Sequence, residues 1–133
     1  MGKLESAIAN LLAWQKSELA LGHSLKSRCL EATRHALELE GISLPAPNNT
    51  AFANFEALSA DPGKYGLVQV HTPLPEYALV YFKDCGWIGT GDDRRQAGHV
   101  GILHDGVIYG NQDYPWGSYW ADRIVGGFVP VGE

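Results

Sequence analysis

Two cysteines, Cys29 and Cys85, and five histidines are the side chains of this sequence best suited to nucleophilic attack or proton transfer near neutral pH. Cys29 stands one or two residues inside the start of a predicted helix. Unpaired backbone N–H groups and the positive end of the helix dipole favour a thiolate there, and the same N–H groups can stabilise an oxyanion. A small buried residue on an amphipathic helix gives the same pattern, because a free cysteine packs like a hydrophobe. His99 tips the balance toward chemistry. It lies on an apolar strand between Gly98 and Gly101, which leave room around an imidazole. A Cys–His pair with a polar third member is the arrangement that activates thiol nucleophiles.

Asn111 is the third member that the spacing offers. Residues 98–111 read as a β-hairpin with a tight turn at His104-Asp105-Gly106. A two-residue turn at Asp105-Gly106 sets residue 99 opposite 112, whereas a turn centred on Asp105 sets it opposite 111. The second register lets the Asn111 amide accept a hydrogen bond from the imidazole and hold its tautomer. The alternative is a core histidine bonded to a carbonyl, with Asn111 merely ending a strand.

Cys85 sits in a different setting. Asp84-Cys85-Gly86-Trp87 is followed by Gly89 and Gly91, and so dense a run of glycine cannot sustain a helix behind the thiol. Cys85 therefore reads as a loop cysteine, and a Cys29–Cys85 disulfide would remove the nucleophile. His23, His35, His71 and His104 are weaker candidates, and no His or Cys pair has metal-ligand spacing. Neither a metal nor a cofactor is expected. The aromatic residues Trp87, Tyr114 and Trp116, with Gln112 and Asp113, could form a substrate-binding wall. The aromatic tail, which also holds Tyr119 and Trp120, could equally be a small core covering one end of a sheet.

The elements that must position these residues follow from periodicity. Leu4, Ala7, Ile8, Leu11 and Leu12 recur at helical spacing, so residues 3–20 read as an amphipathic helix that Gly22 ends. A second helix capped by Ser24 or Ser27 runs to about Glu40, and a short third one covers Thr50 to Leu58, burying Phe52 and Phe55. After the turn triplet Asp61-Pro62-Gly63 the pattern changes to strands, with Tyr77–Phe82 the clearest central one and a last strand at about Ile124–Val129. Helices first and an antiparallel sheet afterwards make an α+β domain. The expected organisation is a single domain over 1–133, with residues 1–24 as an N-terminal helical extension and 25–133 as the core.

Composition sets limits on the function. The chain has 133 residues, 45% hydrophobic and 19% charged, which suits one globular domain. A net charge of −5 argues against a general electrostatic grip on nucleic acid. No apolar stretch can span a bilayer. Glu5, Ser6 and Asn10 interrupt any secretory signal, so the expectation is synthesis in the cytoplasm, with three fates open: staying there, release by lysis, or export by a dedicated machine.

A cysteine opening a helix, then "PEYALVYF" at 75–82, then "GHVGIL", "HDG" and "VIYGN" over 98–111 resembles the NlpC-type and CHAP-type cell-wall hydrolases. Those are papain-like cysteine peptidases and amidases of peptidoglycan. The resemblance covers roughly residues 25–113, and the hairpin is its most specific part. It implies a papain-like fold with Cys29 as nucleophile, His99 as base and Asn111 as the orienting residue. Two departures mark the chain: Ser27-Arg28-Cys29-Leu30-Glu31 stands where NlpC-type enzymes carry Asp-Cys-Ser-Gly, and Pro75-Glu76-Tyr77-Ala78-Leu79 where they carry Pro-Gly-Asp-Leu. The spacing of Cys29 and Arg34 is closer to the CHAP side or to a divergent branch. The implied activity is cleavage of an amide bond in peptidoglycan or a peptide by a monomer. An immunity protein, phage components or a secretion machine would be its protein partners. Two rivals share the fold: a toxin or effector acting on a protein amide or thioester, and an inactive binding module.

Overall fold

The computed structural model describes residues 2–45, 50–85, 87–88 and 95–132, with 87–88 and 95–96 described by backbone alone. Four α-helices occur among these residues: α1 (Lys3–Ala20), α2 (Cys29–Glu38), α3 (Ala51–Ala60) and α4 (Ser118–Ala121). A 3-10 turn at Pro62–Tyr65 leads into the first of eight strands. These are β1 (Leu67–Val70), β2 (Tyr77–Phe82), β3 (Trp87–Ile88), β4 (Arg95–Gln96), β5 (His99–His104), β6 (Val107–Tyr109), β7 (Asp113–Pro115) and β8 (Ile124–Pro130). Six of them form one antiparallel sheet in the order β1-β8-β2-β5-β6-β7, and β3 pairs with β4 apart from it. The class is α+β.

The run Ala78-Leu79-Val80-Tyr81-Phe82 lacks alternation because β2 is central and buried on both faces. Leu79 and Tyr81 join Val100, Ile102 and Phe128 in the core on one face, beneath the helices. Leu4, Ala7, Leu11 and Trp14 of α1 and Ala32, Ala36 and Leu37 of α2 close that core from above. Ala78, Val80, Phe82 and Ile108 point to the opposite face, under a half-buried cover that includes Leu74, Tyr114, Trp116 and Trp120. The aromatic tail is therefore largely a second small core. Phe52 and Phe55, expected to be buried by α3, are only half-buried, and Ala51, Asn54 and Leu58 take the inner positions.

Two local expectations are corrected. Helix α2 begins at Cys29 itself, and its N-cap Arg28 makes no side-chain capping bond. Ser27 is in the left-handed region at φ 61, where it cannot cap, and the Ser24 hydroxyl accepts from the Lys26 N–H instead. The β5–β6 hairpin pairs Ile102 with Tyr109, Leu103 with Ile108 and His104 with Val107. That is the frame setting 99 opposite 112. Asp105 (φ 48) and Gly106 (φ 76) both take positive φ, which matches a two-residue turn to the twist of the strands.

Candidate active site

A cleft of about 650 Å³ opens where the start of α2 meets the first residues of β5, and Cys29, His99, Asn111, Gln112 and Tyr114 line it. Cys85 lines it as well. Both thiols are free, so no disulfide blocks Cys29.

Cys29 is half-buried against the core of the helical face. Burial pushes its thiol upward, and the backbone N–H groups of Val100, Leu30 and Cys29 itself pull in the other direction without prevailing. The helix start therefore does not leave a free thiolate at rest, contrary to the expectation from position. Cys29 and His99 line the same cleft, but no hydrogen bond joins the sulfur to the imidazole.

His99 is 7% exposed and pairs in the sheet with Phe82. Its ring lies against Phe82, Tyr114 and Trp120, with centroids 6.0, 5.0 and 4.9 Å away. Burial lowers its pKa to about 4, so the imidazole is neutral at pH 7. Its Nε2 is buried and meets no hydrogen-bond partner among the described residues. The flanking glycines do not hold space open around this ring. A Cβ on Gly98 would come within 2.8 Å of the Phe82 carbonyl oxygen, and one on Gly101 within 2.7 Å of Ile108. They are glycines because neighbouring strands and α3 pass too close for a side chain.

Asn111 is brought to the cleft but not onto the imidazole. It occupies the three-residue loop 110–112 joining β6 to β7, which pair through Tyr109 and Asp113. Asn111 is 3% exposed, its Nδ2 donates to the Leu25 carbonyl at 2.8 Å, and its Oδ1 accepts from the Tyr114 hydroxyl at 3.3 Å. Gln15 of α1 donates to the Gly110 carbonyl (2.8 Å) and to Asp113 Oδ1 (3.1 Å).

The residues expected to bind substrate are divided. Gln112 and Tyr114 line the Cys29 cleft. Asp113 is engaged by Gln15, and Trp116 lines a second depression beside His104 and packs on Phe82. The Trp87 side chain lies outside the described residues. Trp120, not expected at the site, touches His99 directly. Only its place in an aromatic run could have pointed to it.

Charge is concentrated on the rim. Arg28 donates to Glu18 at 2.6 Å and to Glu31, and its guanidinium lies 4.7 Å above the Trp14 ring. This network raises the Arg28 pKa and holds the Glu18 and Glu31 carboxyls below their usual range, mainly through the Arg28 hydrogen bonds. Arg34 donates to the carbonyls of Leu44 and Pro45. Among the described residues no three His, Cys, Asp or Glu side chains gather as a metal site, and no helix is long and apolar enough to cross a membrane. In comparison with known proteins, the chain matches no family model, no curated protein and no solved structure.

Proposed function

We propose that the protein is a cysteine hydrolase of papain-like fold that cleaves an amide bond in peptidoglycan, with Cys29 as nucleophile and His99 as base. The observation that carries this reading is the junction of α2 with β5. There a cysteine at the first helical residue and a buried, neutral histidine line one cleft of about 650 Å³. At rest the thiol and the imidazole are both neutral and share the cleft without a hydrogen bond between them. The imidazole takes the thiol proton as the sulfur attacks the carbonyl carbon, so bond formation drives an uphill proton transfer. Backbone N–H groups of the first turn of α2 receive the developing oxyanion. The imidazolium then protonates the leaving amine, and water, deprotonated by His99, hydrolyses the thioester and frees Cys29.

Incubating the protein with purified peptidoglycan sacculi and separating the soluble muropeptides tests this. Wild-type protein should release new fragments, Cys29→Ala none, and His99→Gln about 10²–10⁴-fold fewer per unit time. Absence of fragments from the wild type, or equal release by Cys29→Ala, overturns the proposal.

A further inference from the structure

The third polar residue of the site has a different task from orienting the histidine. We infer that Asn111 and Tyr114 form a clamp that positions the nucleophile, by holding the loop that leads into Cys29 against the tip of the β6–β7 hairpin. The inference rests on Cys29 being the nucleophile. Both ends of the Asn111–Leu25 bond are buried and lie 86 residues apart in sequence, so the bond fixes a long-range docking rather than a local turn. Leu25 precedes Cys29 by four residues, and between them Ser27 is held at φ 61. A non-glycine residue persists there only where its surroundings dictate it. On the solvent side Arg28 ties the loop to the Ser24 carbonyl and to Glu18. Asn111 provides the buried side. The Tyr114 hydroxyl, by donating to Oδ1, sets which end of the amide faces Leu25. Its ring meets the His99 ring edge-on at 85°, so one side chain touches both the base and the anchor of the nucleophile loop. Neither Asn111 nor Tyr114 takes part in proton transfer; both are positioning residues.

Releasing the Leu25 carbonyl should let Cys29 move away from the core it packs against and become more exposed. Three measurements on the full chain test this in Asn111→Ala and Tyr114→Phe: iodoacetamide alkylation of Cys29 relative to Cys85, the His99 titration by NMR, and kcat and KM for muropeptide release. Asn111→Ala should raise the Cys29-to-Cys85 alkylation ratio several-fold and lower kcat about tenfold or more, with KM little changed, since small misplacement costs rate rather than binding. The His99 midpoint should stay where it is. Tyr114→Phe keeps the ring and should give the same signs at smaller size. Cys85 is the internal reference, because general unfolding would raise both thiols together. An unchanged ratio in Asn111→Ala, a moved His99 midpoint in that variant, or a Tyr114→Phe ratio equal to wild type overturns the clamp. If the wild-type protein releases no muropeptides, the hydrolase reading fails, while the alkylation ratio and the titration still decide the clamp.

Discussion

His99, the proposed base, also bears on the stability of the fold. Its ring is enclosed by Phe82, Tyr114 and Trp120, none of which carries a charge, and burial holds its pKa near 4 instead of 6.5. Between those values the unfolded chain binds a proton that the native chain refuses, so stability rises with pH across that window. His99 therefore favours the fold fully above about pH 6.5 and progressively less as pH falls toward 4, to a total of up to ~3 kcal/mol. Urea denaturation at a series of pH values should show this acid loss in the wild type and a clearly shallower one in His99→Gln. Parallel curves for the two proteins would show that other groups govern the acid limb. The same burial that keeps the histidine neutral at pH 7 makes it a liability in acid.

At the scale of elements, helical spacing of apolar residues revealed α1 and α2, and short apolar runs bounded by turn residues revealed β2, β5 and β8. The end of the sheet beyond β6 was not legible. Asp113-Tyr114-Pro115 carries two residues that argue against a strand, yet β7 forms at the sheet edge, where a proline costs no ladder hydrogen bond. Without that strand Asn111 looks like the end of β6 instead of the tip of a hairpin, and its partner Leu25 cannot be anticipated. Cys29 and His99 were easier to find, since each is placed by an element that the sequence does define. Gly98 shows how tightly those elements meet. It has φ +68, and its Cβ position lies 2.8 Å from the Phe82 oxygen and 3.0 Å from the Phe52 nitrogen. Gly106 has a similar φ of +76 with nothing within 4 Å. Gly106→Ala should cost only the backbone strain, about 1–3 kcal/mol. Gly98→Ala should cost more, because β2 and α3 must also move apart. Chemical denaturation of the two variants compares them directly, and equal losses would contradict the close approach at residue 98.

For the whole molecule, the question is whether α1 is an appendage to a core that starts near residue 25. Its buried face argues otherwise: Leu4, Ala7 and Leu11 are at most 3% exposed and Trp14 8%. Gln15 ties the helix to Gly110 and Asp113 beside the clamp, and Trp14 lies under Arg28 at the cleft rim. Asn10 adds bonds to the Ala36 carbonyl and to Glu40 at the far end of α2. Helix α1 thus supports both ends of the helix that carries Cys29. Truncating a single buried leucine to alanine typically costs about 2–5 kcal/mol. Removing two leucines, a tryptophan and an alanine together exceeds much of the ~5–15 kcal/mol that a domain has in total. A chain starting at Leu25 should therefore lose cooperative thermal unfolding and bind a hydrophobic dye. A truncated chain that melts cooperatively near the wild-type midpoint would make α1 dispensable. In that case Gln15 and Trp14 could not matter to the cleft either, and residues 25–133 alone would have to hold Cys29 in place.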